Sequence, residues 1–138
     1  MSRPDPLTMT LDELRDWMRD TYCEVRAWYW CRKSDGKYVA NATNHPYPPT
    51  LDGAHAAMPE GVRWERSCCP TLRRWEWRAY VQVSWQDSTG SYTEWKPVHF
   101  NGWPLAIPDT NDPKTDLYRL AVACCMAEDE RRDQEVKL

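Results

Sequence analysis

Six apolar residues fall on consecutive odd positions: Trp75, Trp77, Ala79, Val81, Val83 and Trp85, separated by Glu76, Arg78, Tyr80, Gln82 and Ser84. Side chains alternate between two faces only in an extended chain, so this run predicts an antiparallel strand buried on one side and excludes a helix. All six apolar residues are expected on the buried face. Asp87-Ser88-Thr89-Gly90 supplies a turn, and Ser91 to Lys96 is expected to return as the second arm of a hairpin.

A sheet with one apolar face needs a covering layer, and the rest of the chain supplies candidates. Thr10-Leu11-Asp12-Glu13 has the spacing of a capping box. It opens an amphipathic helix at about 11–20, with Leu11, Leu14, Trp17 and Met18 inward. From Cys23 to Arg32 the period is two, predicting one strand with Val25, Ala27, Tyr29 and Cys31 on the core face and Glu24, Arg26, Trp28 and Trp30 on the other. Ser34-Asp35-Gly36 turns the chain into a short strand over Lys37-Tyr38-Val39-Ala40. The prolines between Asn41 and Pro49 predict a loop. Thr50 is expected to cap a second helix running to Met58, with Leu51, Ala54 and Met58 buried. Val62 to Arg66 reads as a strand, and Pro97 to Pro113, with four prolines, as irregular chain. Asp112-Pro113 begins the last helix, with Leu117, Leu120, Ala121, Cys124 and Cys125 on its core face and Tyr118, Val122 and Met126 widening it.

The elements add up to an α+β fold, an antiparallel sheet of about four to five strands packed with about three helices in a layered sandwich. Residues 1–9 are expected to be a loose lead-in, 10–127 a single domain, and 128–138 a charged extension. A length of 138 residues suits one domain. Hydrophobic residues at 41% and charged residues at 28% exclude a disordered chain and a membrane span. A net charge of −3 argues against a partner that is a long nucleic acid. The six cysteines include the adjacent pairs Cys68-Cys69 and Cys124-Cys125, contain no Cys-x-x-Cys, and are expected to be reduced thiols acting as small hydrophobes.

Three segments resemble the phage ABA sandwich domain family, small proteins encoded largely by phages and prophages. They are Leu11-Asp12-Glu13-Leu14-Arg15; Tyr47 through Met58, with its Pro48-Pro49-Thr50 cap; and Thr115 through Cys125, with its alanine- and cysteine-bearing face. The resemblance implies a layered α/β fold, phage ancestry and a place in the host cytoplasm. It assigns no catalytic residue.

Charge is unevenly spread. Residues 63–78 carry Arg63, Arg66, Arg73, Arg74 and Arg78 against Glu65 and Glu76, a local +3, while 1–62 and 79–138 carry −2 and −4. Arginine binds phosphate bidentately and indole stacks on bases, so Trp64 and these arginines are candidate contacts for a nucleotide. The plainer reading is a strand with tryptophans in the core and arginines in water. Trp28 and Trp30, on the face away from Val25, are a candidate stacking platform, a dimer interface, or a surface under another layer. Trp95, His99 and Trp103 fall in a proline-bearing loop of the kind that carries ligand contacts, and the plainer reading of His99, with no acidic or nucleophilic partner evident, is a surface histidine.

No P-loop, dinucleotide fingerprint, G-x-S-x-G or H-E-x-x-H occurs. The chain therefore reads as non-catalytic, with no cofactor and no metal. The expected function is an anti-defence protein that binds and sequesters a small anionic ligand such as an immune-signalling nucleotide, and a homo-oligomer would deepen its pocket. The alternative is a protein–protein module, self-associating or inhibiting a host protein through exposed tryptophans. A hydrolase with a metal held by scattered cysteine, histidine and acidic residues is a third reading.

Overall fold

A computed structural model describes residues 5–34, 36–41 and 61–136. The architecture is mixed α and β, with every strand pairing antiparallel. The expected helix from Thr50 to Met58 lies outside the described residues, which hold two α-helices.

Helix α1 spans Leu11–Trp17 and starts as its capping box dictates: the Thr10 hydroxyl accepts from the Glu13 backbone, and the Glu13 carboxylate accepts from the Thr10 N–H. It continues through one π-helical turn, Met18–Tyr22, which brings Tyr22 under Trp17 with ring centroids 5.5 Å apart. Leu14 and Met18 are fully buried, as the spacing predicts.

The segment expected to be one strand is two. Strands β1 (Cys23–Arg26) and β2 (Tyr29–Arg32) form a hairpin, with Ala27 and Trp28 at its tip and Ala27 at φ 55°. Strand β3 (Tyr38–Asn41) adds to β2, with a register shift between Trp30 and Cys31. The turn reverses the chain between the two halves of the run, which changes which residues face inward. Val25 is exposed, while Trp30 lies in the core beside Cys23 and Val39.

The larger sheet is built on β5 (Arg74–Asp87), the strand announced by the odd-numbered apolar run. Strand β4 (Val62–Cys69) pairs along one edge of its first half, from Cys69 opposite Arg74 to Val62 opposite Val81. Strand β6 (Gly90–Pro97) returns along the other edge, from Gly90 opposite Asp87 to Pro97 opposite Tyr80. The stretch expected to be irregular then makes three short strands. The pair β7 (His99–Phe100) and β8 (Trp103–Pro104) forms an excursion, and β9 (Ala106–Pro108) rejoins β5 opposite Glu76 to Arg78. Prolines did not forbid strands here because these strands are short and lie at edges.

Helix α2 (Pro113–Val136) is the spine. Asp112 caps it, with its carboxylate accepting from the Thr115 hydroxyl at 2.7 Å. Residues Leu120 to Met126 are buried all round because two cores meet on them. Tyr118, Ala121, Val122, Cys125 and Met126 pack toward α1 and the β1–β3 sheet, whereas Leu120, Ala123 and Cys124 pack on Trp77, Ala79 and Ile107 of the larger sheet. Arg119 reaches the N-terminal segment, donating to the Pro6 and Met9 carbonyls. Among the described residues no helix is long and apolar enough to cross a membrane.

Candidate functional surface

Strand β5 is longer than its cover, and that mismatch creates the surface. Strand β4 ends its pairing opposite Val81, so from Gln82 onward β5 and β6 continue as a two-stranded arm. Six paired residues at a strand rise of about 3.4 Å carry it roughly 20 Å beyond the four-stranded region. Two of the residues expected in the core are exposed. Trp85, at 42%, sits on the arm and stacks on Tyr92 across the strands, with centroids 5.6 Å apart. Trp75, at the opposite end of β5, lies beneath the Arg66 guanidinium at 4.6 Å. Of the six only Trp77 and Ala79 are buried, packed against Leu120, Ala123 and Cys124 of α2.

The arginine-rich segment divides between the two faces of the sheet. On the face toward α2, Arg66 donates through Nε to Asp109 Oδ2 at 2.5 Å. Asp109 is held below its ordinary pKa by the Asn111 backbone N–H, with the Arg66 bond adding to it. Trp64 shares this face and meets Trp77 edge to face at 5.5 Å. On the opposite face lie Arg63, Arg74 and Arg78. Arg74 and Arg78 both bond to Glu76, at 3.2 Å each, and Glu76 is buried between them. That bond holds the Arg78 pKa above its usual value. Arg63 stands over Trp95 at 4.4 Å and Tyr80 at 5.9 Å, a geometry worth about 0.5–1 kcal/mol at an exposed site. Arg73 lies on the β4–β5 turn with φ 51°.

The remaining candidates are dispersed. Trp28 caps the β1–β2 hairpin at 62% exposure, whereas Trp30 is core, so the two indoles form no common platform. Trp103 projects from β8 at 75% exposure. His99 is exposed on β7, its Nδ1 3.0 Å from the Pro97 carbonyl. His99, Val62, Val81, Val98, Cys124 and Glu130 line a cavity of about 370 Å³ between β6, β7 and α2. At its edge the Asn101 N–H donates to the Glu130 carboxylate at 3.2 Å.

Burial pushes the Cys23 and Cys124 thiols well above their ordinary range and Cys125 up to about 12, so none is a thiolate near neutral pH. Among the described residues no three His, Cys, Asp or Glu side chains converge to hold a metal. Sequence reading missed Tyr92, Trp75 and Trp85 as surface aromatics. For Trp85 and Tyr92 the signal was available in the shortness of β4, whose eight residues pair with only part of the fourteen in β5.

No protein-family model, curated protein or solved structure matches this chain.

Proposed function

We propose that this chain is a non-catalytic protein-binding module whose working surface is the β5–β6 arm and the sheet faces at its root. One observation carries the reading: six of the nine tryptophans, Trp28, Trp64, Trp75, Trp85, Trp95 and Trp103, are exposed, and Trp85 and Trp95 stand on the arm with Tyr92. Indoles left open to this extent keep surface that the protein's own core does not cover, and aromatic residues are enriched where proteins meet. Tryptophan and tyrosine supply large contact areas with few side-chain rotations to freeze, which is what a binding hot spot uses.

Sequestration of a small anionic ligand ranks second. It draws on Arg63 and Arg73, which have no carboxylate bond among the described residues. Arg66, Arg74 and Arg78 are already committed to Asp109 and Glu76, and a phosphate would have to displace those bonds. A host protein as the partner, and an anti-defence role, follow from the phage resemblance and stand as proposals with it.

Oxidative footprinting of the purified chain, alone and in extract of cells that express it, tests the reading. Trp85 and Trp95 are expected to become protected while Trp28 does not. Unchanged oxidation at all three, with fluorescence quenching by one member of a nucleotide panel, would replace this reading with the second.

A further inference from the structure

The arm has faces, but it also has an edge. Strand β6 closes the larger sheet, and among the described residues no strand lies beyond it. Which of its backbone groups point outward is fixed by one bond: the Val98 N–H donates to the Ala79 carbonyl at 3.0 Å. In an antiparallel ladder the inward groups alternate with the outward ones, so Gly90, Tyr92, Glu94 and Lys96 face β5. Ser91, Thr93 and Trp95 therefore present N–H and carbonyl groups to the outside, and Pro97 presents a carbonyl alone. All eight β6 residues are exposed. An edge of this length with free donors is a template for another strand.

The edge's charges select the partner. Glu94 and Lys96 lie on one face of β6, 3.3 Å apart as an ion pair, with side chains 46% and 56% exposed. Two copies of β6 related by a twofold axis pair antiparallel. The registers that match outward groups differ in what opposes Glu94. Centred on Glu94, the pairing sets like charges together. Centred on Trp95, it sets Glu94 against Lys96 of the second copy twice over. It also forms two backbone bonds between the Trp95 residues and two from Thr93 N–H to the Pro97 carbonyl of the other chain. Pro97, lacking an N–H, ends the pairing.

We propose that the chain self-associates through β6, Thr93 to Pro97 pairing with the same segment of a second copy in the register centred on Trp95. The two larger sheets become one continuous sheet, with two Trp95 rings side by side beneath their Arg63 guanidiniums. The proposal goes beyond the module reading and does not depend on it, since backbone groups and one charge pair carry it. The sheet faces and Trp85 remain available to a different protein.

Sedimentation velocity on the full chain tests it. Wild type is expected to be a dimer. Glu94→Lys and Lys96→Glu each place like charges opposite one another twice, and each is expected to weaken the dimer by about tenfold or more. An equimolar mixture of the two variants restores both attractive pairs and is expected to give a heterodimer. Both positions are exposed, so circular dichroism of each variant should match wild type. A monomeric wild type, single variants that dimerise as well as wild type, or a mixture no tighter than its components overturns the proposal. None of these results bears on the footprint at Trp85.

Discussion

The Trp77 indole donates through Nε1 to Asp116 Oδ2 at 3.2 Å, joining the middle of β5 to the first turn of α2 inside the protein. Asp116 also accepts from the Thr110 N–H at 2.9 Å and the Thr110 hydroxyl at 2.6 Å, which anchors the loop between β9 and α2. Its place near the helix N-terminus adds a favourable interaction with the helix dipole. Trp77→Phe keeps most of the apolar volume and removes one donor to a buried carboxylate. Stability is expected to fall by about 1–3 kcal/mol, read as a lower urea midpoint with an unchanged slope.

Two tryptophans on one face of β5, Trp77 and Trp85, should respond very differently to truncation. Trp77→Ala opens a cavity in a packed core and is expected to cost about 3–5 kcal/mol. Trp85→Ala removes one cross-strand ring contact on an open arm and is expected to cost no more than about 1 kcal/mol. Equal losses in paired denaturation curves would show that the arm is covered in solution.

Thiol reactivity separates the six cysteines. Cys68 is exposed and Cys69 half-buried, whereas Cys23, Cys31, Cys124 and Cys125 are buried. A disulfide-exchange reagent at neutral pH is expected to modify Cys68 and Cys69 in the native protein and the other four only after unfolding. Rapid native modification of Cys124 would place it in an open cavity wall instead.

Stability should fall at both ends of the pH range. The Thr10 backbone N–H lowers the Glu13 pKa, the Arg19 bond lowers Asp20, the Thr89 hydroxyl lowers Asp87, and the Asn111 N–H lowers Asp109. The unfolded chain takes up these protons first, so their contribution is present at neutral pH. It is lost as pH drops below the ordinary carboxylate range near 4. Burial raises the thiols of Cys23, Cys124 and Cys125, and here the sign reverses. That contribution is complete below the unfolded thiol pKa of about 8.5 and declines as pH rises beyond it. Urea midpoints across the range should show a plateau between these limits.

The local parts of the fold were legible because local rules set them. Thr10 and Glu13 cap α1, Asp112 caps α2, and alternation over residues 75–85 gives β5. Period two alone did not reveal the hairpin tip at Ala27 and Trp28, since a two-residue turn leaves alternation intact on both sides. Nor does alternation say how far a strand is covered, and Trp75 and Trp85 continue the pattern past the layer that buries Trp77. The surface was half legible. Arg63 and Trp95 meet as their residue types suggest, but the Arg66 bond to Asp109 spans 43 positions and no spacing rule foresees it.

The most direct measurement of the central claim is site-specific photo-crosslinking from Tyr92 in cells that express the chain. Tyr92 stacks on Trp85 on the arm, so a reactive group there lies within the proposed contact. Beside any adduct of twice the chain's own mass, which β6 pairing would give, one further adduct of discrete mass is expected, and it should be lost in the Trp85→Ser, Trp95→Ser double variant. No adduct other than one of twice the chain's mass, or a further adduct formed equally well by the double variant, would contradict a protein-binding role for the exposed tryptophans.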